Sequence, residues 1–144
     1  MRQKDQILEK SPSISNKSFH NQVALATIHI IQQSYPQARL FRSEAVLAKQ
    51  WHSGAPMKLG TAGHSDIYGY IPICGIGVFV GIEIKTGKAT LSPEQRVKAK
   101  NLEDAGGLFV IGRENLTRTM ETLHDKVDKL IYKIVNQPPL AYNE

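Results

Sequence analysis

Helical spacing and strand alternation follow one another along this chain in a readable order. From His20 to Ser34, Val23, Ala24, Ile28 and Ile31 fall on one side of a helix that Pro36 stops. Arg39 to Leu47 then reads as a strand. Residues 49–65, rich in Gly, Ser, Lys and His, read as a long loop, which in compact domains is often functional or mobile. Two strands follow at about 66–72 and 78–86, and Cys74-Gly75-Ile76-Gly77 between them carries the glycines of a hairpin. Pro93 to Ala105 fits a helix closed by Gly106-Gly107, and Leu108 to Ile111 is the wholly apolar run of a buried strand. Strand, helix and strand in that order make a βαβ unit, with 78–86 and 108–111 parallel.

A last helix spans Leu116 to Val135, where Leu116, Met120, Leu123, Val127, Leu130, Ile131 and Ile134 recur at helical spacing. That stripe is most simply core, and a second reading makes it the seam of a homodimer. The expectation is one α/β domain over residues 19–136, a central mixed β-sheet flanked by helices. A polar, Ser-rich tail covers 1–18 and an irregular tail covers 137–144.

A chain of 144 residues, 41% of them apolar, has material for one core and not two. No apolar run approaches the roughly 20 residues of a membrane helix, and the opening MRQKDQILEK lacks the apolar centre of a signal peptide. Cys74 is the one cysteine, which excludes an internal disulfide and zinc sites built on Cys pairs. These features set the expectation of a cytoplasmic chain away from membranes. The 18 basic and 13 acidic residues leave a net charge of +5. That surplus favours a polyanionic partner and is equally compatible with a plain basic protein.

The chemistry sits on Val78-Phe79-Val80-Gly81-Ile82-Glu83-Ile84-Lys85. Strand side chains alternate faces, so Val78, Val80, Ile82 and Ile84 share one suited to a core. Phe79, Gly81, Glu83 and Lys85 share the other, with Gly81 expected to leave room beside the charged pair. A hairpin bent near residues 74–75 sets Asp66 opposite Glu83 or Ile84, with cross-strand neighbours about 5 Å apart. Two carboxylates so close repel unless a cation lies between them. Hard divalent ions such as Mg²⁺ take one or two carboxylates together with phosphate and water. Taken alone, a Glu-x-Lys pair on a strand is commonly just an exposed ion pair.

As a set, Gly63-His64-Ser65-Asp66 followed by Gly77-Val78-Phe79-Val80-Gly81-Ile82-Glu83-Ile84-Lys85 resembles the PD-(D/E)xK nuclease signature. The continuation from Thr86 to Arg113, with Leu91-Ser92-Pro93-Glu94-Gln95 and a Gly-Gly before a short apolar strand, resembles more narrowly the VRR-NUC family. The likeness spans about Gly60 to Gly112. It implies a restriction-endonuclease-like core and Mg²⁺- or Mn²⁺-dependent hydrolysis of DNA phosphodiester bonds, by in-line attack of a metal-activated water. An endonuclease selective for branched or junction DNA is one form of this. On that resemblance Asp66 and Glu83 are metal ligands, with the carbonyl of Ile84 as another, Lys85 is the catalytic lysine, and Gln95 lies near the site. The chain departs from the family at His64-Ser65, where proline is usual. It departs again at Ser18 to Gln22, where the family often has an acidic residue; His20, Gln22 or Glu44 are the available substitutes. That second departure supports the alternative, a catalytically inactive nucleic-acid-binding module of the same fold.

Gln95 also has a structural reading. Ser92-Pro93-Glu94-Gln95 is a capping box, so two roles compete for one side chain. Among basic residues, Arg42, Lys58, Lys88 and Arg96 are candidate phosphate contacts, with Lys88 and Arg96 favoured for their nearness to the site strand. His64 stands two residues from Asp66, and Trp51 offers a ring for a base or, more ordinarily, for a core or partner contact.

Overall fold

The computed structural model of the chain describes residues 4–43, 46–49, 56–59 and 65–138, with backbone alone at 46–49 and 56–59. Helix α1 runs Asn16–Ser34. It starts ahead of the expected His20 because Ser15 caps it, its hydroxyl accepting from the Ser18 N–H. Phe19, Val23, Ala24, Thr27 and Ile31 are its buried positions, and Ile28 packs on the core from the side.

The single strand expected over 39–47 is two, β1 at Arg39–Arg42 and β2 at Val46–Lys49. The expected long loop contains a third, β3 at Pro56–Leu59, which pairs antiparallel with β2 as a separate two-stranded ribbon. Strands of four residues are too short for periodicity to reveal, and each has only the other as its partner.

The hairpin is tighter than the glycine pattern implied. Strands β4 (Ile67–Ile73) and β5 (Ile76–Ile84) are joined by Cys74-Gly75 alone. Both turn residues have positive φ, +51° and +77°. A two-residue turn with left-handed backbone at both positions matches the twist of the strands it joins. Helix α2 (Pro93–Asp104), strand β6 (Leu108–Gly112) and helix α3 (Leu116–Val135) complete the fold close to their expected bounds.

The main sheet has the order β1-β4-β5-β6. The first two pairings are antiparallel, and β5–β6 is the expected parallel one. Its fully covered face carries Val78, Val80, Ile82 and Ile84 from β5 and Leu108 and Val110 from β6. Helices α1 and α3 pack there, contributing Val23, Ala24, Ile31, Met120, Leu123 and Val127. Each buried aliphatic side chain of this kind stabilises the fold by about 1.5–3 kcal/mol. The stripe on α3 is therefore core, with Leu130, Ile131 and Ile134 packed at its margin.

Helix α2 lies on the opposite face and has no fully buried residue. It holds to the sheet through Leu102, which sits against Gly107 and Gly81. A methyl at Gly81 would stand 2.8 Å from the Ser65 hydroxyl and 3.0 Å from Leu102. The space expected to lie open beside Glu83 is thus filled by Ser65 and Leu102.

Residues 6 and 8, inside the segment read as a polar tail, bond to the start of α3. Gln6 accepts from the Leu116 N–H and Leu8 donates to the carbonyl of Glu114, both at 2.8 Å. The Gln6 N–H also donates to the Thr117 hydroxyl at 2.7 Å. These bonds satisfy backbone groups at the start of α3 that no residue of the helix can reach. Among the described residues no helix is long and apolar enough to cross a membrane.

Candidate metal and catalytic centre

Asp66 immediately precedes β4, and the register Ile67 opposite Ile82, carried one pair further, sets Asp66 across from Glu83. The hairpin alone brings the two acids together. They share the face covered by α2 but differ in surroundings. Asp66 is held by backbone: its Oδ2 accepts from the Ile84 N–H at 2.8 Å, and its own carbonyl accepts from the Ser43 N–H. Glu83 is only 5% exposed.

Gln95 reaches Glu83 from the first turn of α2, its Nε2 donating to Oε1 at 2.6 Å. The same amide's oxygen accepts from the Ser92 N–H at 2.8 Å, while the Ser92 hydroxyl accepts from the Gln95 N–H at 3.2 Å. The two roles that looked like rivals are filled by opposite ends of one amide. The helix cap presets the amide's orientation, and its free N–H₂ points at the acid.

The other carboxylate oxygen of Glu83, Oε2, is buried with no hydrogen-bond donor among the described residues. Burial first, and then the neighbouring charge of Asp66, push the Glu83 carboxyl up from 4.5 to about 8, against the pull of the Lys85 ammonium. When either acid carries a proton the two can bond to each other; when neither does, two like charges are neighbours.

Lys85 lies one step beyond the end of β5, with its backbone N–H on the carbonyl of Gly112 at 2.9 Å. Its side chain is partly exposed on the Glu83 face, and among the described residues its ammonium has no hydrogen bond or ion pair. An ammonium within charge range of Glu83, with no hydrogen bond among the described residues, is available to an incoming phosphate.

The first turn of α1 carries no acid, as the sequence indicated. His20 fills that place. Its Nε2 lies 3.2 Å from the carbonyl oxygen of Ile84 and 3.4 Å from Asp66 Oδ2. Gln22 is exposed and away from the pair, and Glu44 lies outside the described residues. No group of three or more His, Cys, Asp or Glu side chains among the described residues forms a ready cage for a metal ion. A hard cation does not need one, since two carboxylates, a carbonyl and water suffice. The residues present fit such an ion on one observation above all: a buried carboxylate oxygen without a donor, on an acid whose neighbour is a second carboxylate.

Of the candidate phosphate contacts, Arg42 donates to Asn21 Oδ1 at 2.7 Å, a tie between β1 and α1. Lys88 is exposed on the loop after β5. Arg96 lines a cleft of about 570 Å³ between α2, β6 and α3, together with Arg113, Arg118 and Lys126. Arg113 and Arg118 escaped notice in the sequence, because only the folded chain brings the β6–α3 junction and the start of α3 to the cleft that Arg96 lines. Arg113 braces the loop after β5, donating to the carbonyls of Gly87 and Ala89. Lys126 is engaged with Glu103 and the carbonyl of Phe109. Lys58 is in β3 with its side chain outside what is described, and Trp51, Gly63 and His64 lie outside it altogether. Comparison of the chain with protein-family models, with curated proteins and with solved structures returned no match in any of the three.

Proposed function

We propose that this chain is a metal-dependent nuclease that hydrolyses DNA phosphodiester bonds, with a restriction-endonuclease-like core of the PD-(D/E)xK kind closest to the VRR-NUC pattern. The observation that carries the reading is the buried, donor-less oxygen of Glu83 on an acid that neighbours Asp66. The order helix, three strands, helix, strand in the main unit supports it, with both acids on the central hairpin.

In this reading Asp66, Glu83 and the carbonyl of Ile84 hold Mg²⁺ or Mn²⁺. Such an ion, when bound, supplies Lewis acidity toward a phosphate oxygen and toward water. Gln95 holds Oε1 of Glu83, which would leave Oε2 free for the ion. Lys85 orients the attacking water and offsets the negative charge that grows on the phosphoryl oxygens as the water oxygen bonds to phosphorus, gives up its proton to solvent, and the in-line P–O bond to the leaving strand oxygen breaks. Arg96, Arg118 and Lys88 meet the flanking phosphates.

The missing acid on α1 favours one other reading, a nucleic-acid-binding module of this fold without catalysis. Purified protein incubated with linear, nicked, flapped and four-way DNAs in Mg²⁺, Mn²⁺ or EDTA separates the two. The nuclease reading expects cleavage that EDTA stops and that Lys85→Ala lowers by about 10²–10³-fold. Binding with no cleavage of any substrate in either metal would leave the module.

A further inference from the structure

We propose that His20 is a direct ligand of the catalytic cation, giving this centre one nitrogen donor where an oxygen set would be expected; this rests on the metal site proposed above. On α1, His20 heads the row Ala24, Thr27 and Ile31, which is fully buried. Residues at these intervals lie along one side of a helix. The row therefore delivers the imidazole to the end of the core, where β5 finishes at Ile84.

Three atoms bearing lone pairs converge there: His20 Nε2, the carbonyl oxygen of Ile84 at 3.2 Å and Asp66 Oδ2 at 3.4 Å. One proton on Nε2 can serve the two oxygens only by being shared between them. A divalent cation can take lone pairs from all three once the ring proton sits on Nδ1. Adjacent ligands of an octahedral ion bound at 2.0–2.1 Å are roughly 3 Å apart. For these three atoms the separations need to close by only a few tenths of an ångström; Glu83 forms no group with His20 and Asp66 among the described residues, so its carboxylate would have to move toward them to join the same ion.

An imidazole changes what the site prefers. Carboxylate, carbonyl and water suit Mg²⁺, whereas a ring nitrogen gains most from transition ions, increasingly from Mn²⁺ to Co²⁺. Replacing an acid by a neutral ring also lowers the charge of the ligand set by one, which weakens Mg²⁺ most. The expected order of affinity is Co²⁺ over Mn²⁺ over Mg²⁺.

Mn²⁺ alone, added to untagged full-length protein, provides the test. Pulsed electron paramagnetic resonance of the bound ion is expected to show coupling to a directly ligated nitrogen, which shifts when the histidines carry ¹⁵N. His20→Ala is expected to lose that coupling and to weaken Mn²⁺ binding about tenfold or more in titration calorimetry. His20→Glu is expected to lose the coupling, keep Mn²⁺ and tighten Mg²⁺. If the wild-type protein binds Mn²⁺, loses it on Glu83→Gln and shows no nitrogen coupling, the assignment of His20 is wrong and the metal site stands. If the coupling persists in His20→Ala, another histidine is the donor and the proposal is equally overturned. If no Mn²⁺ binds at all, both the site and the ligand assignment fail. The wild-type spectrum decides even if a His20 variant does not fold.

Discussion

Gln95 ties a helix terminus to an acid with a single side chain, and the two tasks can be separated by mutation. Ser92→Ala removes the cap hydroxyl but leaves the amide free to bond Glu83. It is expected to lower stability by about 1 kcal/mol and to leave cleavage within a few-fold of wild type. Gln95→Ala removes both bonds and is expected to lower cleavage by about 10–100-fold, the usual effect of losing a partner that orients a metal ligand. Urea melts beside initial rates would show it; equal rates for the two variants would deny Gln95 any part in orienting Glu83.

The raised carboxyl of Glu83 has its own signature in metal-free protein. Its pKa is 4.5 as a free side chain and about 8 when folded, so the folded chain holds a proton that the unfolded chain gives up. The associated stability is fully present below about 4.5 and is lost as pH rises through about 8. In EDTA, the melting temperature of Glu83→Gln should gain on wild type across that window. A difference that stays constant with pH would contradict it. The acid pair itself was legible in the sequence, because a hairpin's register is local arithmetic. His20 was one of three substitutes that the sequence offered, and only the contact of α1 with the end of β5 selects it. Arg113 and Arg118 gave no signal at all, since charged residues after a strand or at a helix start are ordinary surface until packing groups them.

Helix α2 carries the orienting glutamine yet has little hold on the sheet beyond Leu102. A methyl added at Gly107 would lie 2.3 Å from the Leu102 side chain and 3.0 Å from the carbonyl of Phe79. Gly107→Ala is therefore expected to cost about 1–3 kcal/mol. Leu102→Ala should recover part of that in the double variant, a coupling that a four-member denaturation cycle reads directly. Strict additivity would mean that the two positions do not press on each other. Elements with a strong period or a plain apolar run, such as α3 and β6, were readable from the chain. The ribbon of β2 and β3 was not, because strands of four residues leave no period to detect. The true start of α1 was hidden because a serine cap inside a Ser-rich run looks like its neighbours.

The net charge of +5 becomes more specific once the chain is folded. Arg96 and Arg118 share a cleft, and among the described residues neither guanidinium has a hydrogen-bond or ion-pair partner. Each is expected to neutralise one phosphate, so that Arg96→Ala or Arg118→Ala lowers the slope of log affinity against log salt by about 1. Fluorescence anisotropy on a short duplex would measure it, and an unchanged slope in both would place the DNA elsewhere.

The bonds from Gln6 and Leu8 to residues 114–117 join segments more than a hundred positions apart. During synthesis residues 6 and 8 have no partner at 114–117 until more than a hundred further residues have followed them out of the ribosome. The backbone groups they satisfy at the head of α3 wait equally long. Closure of this seam is therefore a late event, and the many local contacts of the hairpin and helices form ahead of it. A protein cut back to remove residues 1–8 would keep its sheet and both carboxylates but begin α3 with frayed backbone, and should open first at that end in hydrogen exchange.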